Sequence, residues 1–237
     1  MKKFLYRLLQ SLHFRKSLKK LKKLENALLT QKQKLTIPFL YRGSGFFKSI
    51  SCMQNPHEIE ELYHLVCDLK PKRVLEIGTA KGGALYLWSQ AAHDEAQIIS
   101  LDLPGGEFGG GYPSCRIPFY HSFIKRNQQL HLVRKDSHSK EALKDIVDLL
   151  KGEPLDFLFI DGDHTYEGVK RDFEMYSPLV RPNGLIALHD ILPRPDIPTI
   201  QVDRFWNEIK NLYPSKELIG PDGHSRKIGC GVLRPTI

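Results

Sequence analysis

Five apolar runs in this chain each end on a residue that can bind or turn. Gly78 follows residues 73–77, Asp102 follows 97–101, and Asp136 follows 131–135. Asp161 follows 155–160, and His189-Asp190 follow 185–188. In an open parallel sheet, ligands bind outside the carboxyl ends of the strands, so these side chains are expected to converge on one crevice. Asp and Gly also end strands simply as turn residues. That covers one or two of the positions comfortably and five of them less well.

The first turn reads Glu76-Ile77-Gly78-Thr79-Ala80-Lys81-Gly82-Gly83. Its glycines let the backbone approach a ligand and turn tightly into a helix. The spacing is not GxGxxG, and no Gly-Lys-Ser/Thr of a P-loop follows. A carboxylate at Glu76 would repel a pyrophosphate and would suit an amine or a sulfonium. Asp102, at the end of the next strand, is placed to accept from both hydroxyls of a ribose. A nucleoside with a cationic amino-acid tail meets both demands, and S-adenosylmethionine is that molecule.

Residues 73–102 resemble motifs I and II of class I methyltransferases. The stretch Asp156-Phe157-Leu158-Phe159-Ile160-Asp161-Gly162-Asp163-His164-Thr165-Tyr166-Glu167-Gly168 is more specific. With Leu179-Val180-Arg181-Pro182-Asn183-Gly184 and His189-Asp190, it resembles the methyltransferase 24 group, related to the cephalosporin-hydroxylase-like and macrolide-sugar O-methyltransferases. The resemblance spans about residues 54–192. It implies a Rossmann-like, doubly wound α/β sheet of seven strands with an antiparallel last strand. It also implies methyl transfer to a hydroxyl, often on a sugar or natural product and often with a divalent metal. Carried over by position, the methionine moiety falls near Glu76, Gly78, Thr79, Gly82 and Gly83, the ribose on Asp102, and the adenine near Asp136 and Ser137, with Asp161 also bordering the cofactor.

Methyl transfer from a sulfonium is an in-line displacement by an aligned nucleophile, and an aliphatic hydroxyl needs a base or a metal to assist it. In the related sugar O-methyltransferases, the residue matching His164 is the general base; a loop His that caps the next helix is the plainer alternative. Asp161 and Asp190 end adjacent strands and could chelate a cation, with His189 as a third ligand. The sugar-modifying relatives have an acidic pair where this chain has His189-Asp190. That departure weakens the case for Mg²⁺ and favours Mn²⁺, Fe²⁺ or Zn²⁺. With no metal, His189 is itself a candidate base. Asp163 is expected to cap the following helix.

Alternating elements must position these residues. The pattern predicts helices over residues 57–70, 82–92, 118–128, 138–151, 166–179 and 200–212 between the strands, then a hairpin of residues 216–219 and 227–233. A Gly-rich insertion, residues 103–125 with Phe108, Tyr112, Phe119 and Tyr120, is expected to form a mobile lid over the acceptor. Residues 57–237 thus make one methyltransferase domain, preceded by a linker at 35–56 with Pro38, Gly43, Gly45 and Pro56 that is expected to fold over it. A helical extension occupies residues 1–34.

That extension carries eleven Lys/Arg and one acid, Glu25, for a charge of +10; the remaining residues sum to −2, giving +8 overall. The basic balance belongs to the extension, which argues against nucleic-acid binding by the whole chain. Its leucines recur at helical spacing, as on an amphipathic helix lying on an anionic membrane or pairing with a partner, a second copy included. Four dispersed cysteines without a CxxC pair suggest reduced thiols in a cytoplasmic protein, peripheral at the inner membrane face if the extension docks. Three rival readings remain: an NAD-dependent oxidoreductase, an iron oxygenase or hydrolase using His164, His189 and Asp190, and a non-catalytic, membrane-tethered methyltransferase-like subunit. The acceptor is expected to be a glycan or other small molecule.

Overall fold

The computed structural model describes residues 2–28, 30–105, 111–221 and 228–236. Runs of branched and aromatic residues form the central strands, which are buried on both faces, and more exposed strands flank them. The strands are β1 (Arg73–Ile77), β2 (Gln97–Leu101), β3 (Gln129–Val133), β4 (Leu155–Ile160) and β5 (Val180–His189), followed by β6 (Ser215–Leu218) and β7 (Cys230–Leu233). The helices are α1 (Lys2–Ala27), α2 (Gln31–Lys34), α3 (Ile37–Leu40), α4 (Pro56–Leu69), α5 (Gly83–Ala91), α6 (Ile117–Tyr120), α7 (Lys140–Leu150), α8 (Tyr166–Tyr176) and α9 (Val202–Ile209). The sheet has seven strands in the order β3-β2-β1-β4-β5-β7-β6. The first five are parallel, and β7 pairs antiparallel with both β5 and β6. This is the doubly wound sheet expected from the sequence.

Side chains alternate across the sheet with a period of two. Leu75, Ile77, Ile99, Leu101, Leu158 and Ile160 face one core, with Ile146, Phe173 and Trp206 covering them. Val74, Ile98, Phe157 and Phe159 face the other, under Tyr63, Trp88 and Phe119. Trp88 meets Phe157 and Phe159 edge-on at 5.0 and 5.2 Å between ring centres.

The structure departs from the sequence reading where apolar residues serve packing across elements rather than a local period. Residues 35–56 do fold over the main domain, and more deeply than a covering linker would: Leu35, Ile37, Tyr41, Phe47 and Ile50 are buried in the same core as Trp88. The inner face of α1 joins them through Leu21 and Ser17, both fully buried, and the Tyr41 hydroxyl donates to the Ser17 carbonyl at 3.2 Å. In the 103–125 insertion, Tyr112, Phe119 and Tyr120 are core side chains that pack edge to face with their neighbours, so this part is a packed wall rather than a lid. Residues 106–110 of that insertion, Phe108 among them, lie outside the described residues, as do Asp222, Gly223 and Lys227 of the expected terminal hairpin. Of the expected 118–128 helix only α6 forms, β3 begins two residues earlier than expected, and β5 is longer at both ends.

Candidate active site

Strand register decides which residues share the mouth of the crevice. Ile77 pairs with Leu101 and Ile160, Leu101 with Val133, and Ile160 with Leu188. The hydrogen bonding continues one residue further. The Gly78 N–H donates to Leu101 O at 2.9 Å, that of Asp102 to Val133 O at 3.0 Å, and that of Asp161 to Ile77 O at 2.9 Å. Gly78, Asp102, Asp161 and His189 therefore stand in one row. Asp190 follows with φ +62°, a left-handed conformation rare outside glycine. Asp136 lies three residues beyond Val133, outside the row. Its Oδ1 accepts from the His138 N–H at 2.9 Å, and the Ser137 carbonyl accepts from the Tyr176 hydroxyl at 2.7 Å. These two residues belong to the loop entering α7.

The glycine turn is built tightly. Gly78 and Gly82 have φ of +93° and +76°, and a Cβ on Gly83 would collide with the backbone of Cys52. The hydroxyls of Thr79 and Ser100 share a hydrogen bond, which fixes the turn on β2. Asp102 is buried beside it and accepts from the Ala80 and Gly111 N–H groups at 3.2 and 3.1 Å. Burial nevertheless pushes its carboxyl up to about 6.

Glu76 differs from the sequence expectation. It is 0% exposed, between Ser100 and Phe159 in the sheet register, and neither carboxylate oxygen has a hydrogen-bond partner. Burial first, then Asp102 and Asp161, push its carboxyl well above the usual range, against smaller opposing effects of Ser100 and Trp88. Its carboxyl is therefore pushed toward the neutral form inside the sheet rather than standing free at the mouth. The alternation of β1 turns position 76 into the aromatic core.

At the ends of β4 and β5 the acids have partners. Asp161 Oδ1 accepts from His189 Nδ1 at 3.0 Å, and His164 Nε2 stands 3.3 Å from the same oxygen. Asp190 Oδ2 lies 3.4 Å from His164 Nδ1 and 3.3 Å from His189 Nδ1. Burial alone would raise Asp161, but His189 and His164 hold it well below the ordinary carboxylate range. Burial would lower both histidines; Asp161 and Asp190 reverse this, raising His164 and holding His189 up at about 10. Donor atoms of Asp161, His164 and Asp190 lie within 4.8 Å of one another, a grouping able to hold a metal ion. The sequence had named His189 as the third ligand. In the structure that grouping has His164 beside the two acids, while His189 Nδ1 faces both carboxylates from the other side. The His189 side chain is 3% exposed against 18% for His164.

Two residues went unnamed from the sequence. Gln54 donates its amide to Asp161 Oδ2 at 2.6 Å, and Arg194 stands 3.8 Å from Asp190 while paired to Asp196. Neither belongs to a periodic segment, so no pattern marked them. The α8 cap is Thr165, whose side chain accepts from Gly168 N–H; Asp163 instead accepts from the Thr165 N–H.

Residues 75–191 match a family model described as a methyltransferase domain. Among curated relatives, the uncharacterized protein y4gI of Sinorhizobium fredii is 30% identical over 64% of this chain. The aligned stretch spans 16% of that protein, and 50% of a second relative. Among solved structures, the O-methyltransferase TomG of Streptomyces achromogenes, involved in tomaymycin synthesis and solved with SAM, superposes with a TM-score of 0.58. It covers 90% of this chain and 94% of its own at 16% identity. An O-methyltransferase of Bacillus cereus solved with SAH gives 0.56 over 90% and 96% at 17% identity. These structures share the fold. With the motif residues standing on that fold, residues 75–191 are a methyltransferase domain of the methyltransferase 24 type.

Proposed function

We propose that this chain is an S-adenosylmethionine-dependent O-methyltransferase whose acceptor hydroxyl is seated at the Asp161–His164–Asp190 cluster. The observation that carries this reading is the row of strand ends. It sets a ribose-type acid, Asp102, and a glycine turn beside a cluster of carboxylates and imidazoles. The cofactor fits the residues present. The turn at Gly78–Gly83 admits close backbone approach, and Asp102 offers carboxylate oxygens to ribose hydroxyls. Asp136 and Ser137 are left for the adenine edge.

Asp161, His164 and Asp190 also fit a divalent cation. One imidazole among carboxylates favours Mn²⁺ or Fe²⁺ over Mg²⁺. When bound, such an ion supplies positive charge that lowers the pKa of a hydroxyl. The chain's own residues orient this set: His189 and Gln54 hold the two oxygens of Asp161, and Arg194 stands beside Asp190. In the reaction the S–CH₃ bond breaks as the C–O bond forms, and the hydroxyl proton leaves. Its acceptor, where no cation is bound, is His164, the more exposed of the two imidazoles. The acceptor class remains the hydroxyl of a sugar, glycan or small natural product.

Calorimetry with S-adenosylhomocysteine, NAD and Mn²⁺ tests the reading. Heat is expected with the first, none with the second, and Mn²⁺ binding is expected to vanish in Asp190→Asn. Preference for NAD by folded protein overturns the donor assignment, and unchanged Mn²⁺ binding in the variant overturns the ligand set.

A further inference from the structure

We propose that the outward face of α1 seats the protein on an anionic lipid bilayer. The face turned inward carries Phe14, Ser17, Leu21 and Leu24, packed on the core. The opposite face changes character along its length. At 3.6 residues per turn, Leu8, Leu12, Arg15, Lys16, Lys19 and Lys23 fall on one side. Its N-terminal half is apolar, with Leu8, Leu9 and Leu12 exposed at 48, 45 and 45%. Its C-terminal half is basic, with Arg15, Lys16, Lys19, Lys20 and Lys23 all exposed. Phe46, 43% exposed, extends the apolar end from the neighbouring segment and meets Tyr6 edge-on at 6.3 Å. Between them lies a groove of about 500 Å³, with Leu9, Phe46 and Pro113 among its apolar lining and Lys48, Lys81 and Arg116 among its basic lining.

The chemistry of this surface selects its partner. Contiguous exposed apolar side chains mark an interaction site rather than ordinary surface. At 1.5 Å per residue, the leucines stand roughly 13 Å from the centre of the lysine cluster. A surface that meets both needs hydrocarbon at one end and fixed negative charge a short distance away. An anionic bilayer provides these as acyl chains and headgroups, with leucines entering the boundary and lysines resting on phosphates. The acid of α1, Glu25, is engaged by Lys22 at 2.7 Å and does not neutralise the lysine face. Among the described residues no helix is long and apolar enough to cross a membrane, so the contact is peripheral.

The test must leave the fold intact. Deleting α1 would uncover the core around Leu21, so outward substitutions are used on the full chain. Wild-type protein is floated with vesicles of phosphatidylcholine alone and with vesicles containing phosphatidylglycerol, at low and high salt. Binding is expected only with phosphatidylglycerol, and weakened by salt. The double variant Leu8→Asp/Leu12→Asp is expected to bind at least about tenfold more weakly. The triple variant Lys16→Glu/Lys19→Glu/Lys23→Glu is expected to lose roughly 100-fold, at about fivefold or more per lysine. Circular dichroism and S-adenosylhomocysteine binding serve as controls for folding, and both variants are expected to match wild type in them. Wild-type protein that ignores phosphatidylglycerol vesicles overturns the proposal, as does binding unaffected by the leucine variant. A lysine variant that abolishes self-association in gel filtration, while vesicle binding is absent throughout, also overturns it and identifies a second copy as the occupant.

Discussion

Glu76 stands on β1 and Asp161 just past the end of neighbouring β4, two register steps on, and both are acids largely withdrawn from water, Glu76 wholly and Asp161 with its side chain 13% exposed. Their states are opposite. Glu76 has no partner and is pushed toward the neutral form, whereas Asp161 receives two imidazoles and an amide and is held ionised. Burial is common to both, so burial does not set the charge. The donors within reach do. The crevice is divided accordingly: a neutral, apolar wall under the glycine turn, and a charged cluster at the ends of β4 and β5. Asp102, held at about 6, lies between the two regimes.

The comparison can be broken most forcefully at Asp161. Asp161→Ala leaves two buried imidazoles facing each other and Gln54 without its acceptor. It is expected to cost about 3–5 kcal/mol in urea unfolding at neutral pH. Methyl transfer to a hydroxyl acceptor is expected to fall by at least ~100-fold. The ionised Asp161 stabilises the fold above the ordinary Asp range, and that contribution is lost as pH falls through its lowered value.

Asp102 sharpens the comparison with the opposite sign. Its folded value of about 6 exceeds the ordinary 3.8, so its contribution is complete below pH 3.8 and declines as pH rises to about 6. The integrated loss is about 3 kcal/mol. Asp102→Asn is expected to flatten stability across that pH window and raise it at pH 7. S-adenosylhomocysteine affinity is expected to fall about 10- to 100-fold, since a charged hydrogen bond to the ribose is lost. Equal stability slopes in variant and wild type would remove Asp102 from the titrating set.

His189→Gln tests whether that imidazole positions or reacts. Mn²⁺ affinity is expected to drop about tenfold while S-adenosylhomocysteine binding is unchanged. The pH profile of methyl transfer should keep its shape, which it would not if His189 carried the proton. The smallest effect is expected at Glu76. If its carboxyl is already neutral, Glu76→Gln changes unfolding free energy at pH 7 by about 1 kcal/mol or less. A loss several times larger would mean that Glu76 is ionised and paired.

The row of strand ends was legible in the sequence because Gly78, Asp102, Asp161 and His189 each interrupt an apolar run. Asp136 also follows such a run, yet it falls outside the row. β3 starts at Gln129, a polar residue that hid the true register. That His164 rather than His189 falls in the grouping with Asp161 and Asp190 was not legible, since both follow strands and only side-chain direction separates them. Gln54 lay in a stretch that read as a linker. Its glycines and prolines marked a linker folding over the domain, while the depth of its isolated aromatic residues, Tyr41 and Phe47, is packing that no local period records.

The amide of Gln54 on Asp161 has a practical consequence. The family match begins at residue 75, but the working unit begins well before it. A fragment cut to the matched region would lose a donor to its central acid and part of the hydrophobic cover of one sheet face. Such a fragment could carry every motif residue and still be inert, so boundaries for expression or for grafting belong upstream of α1.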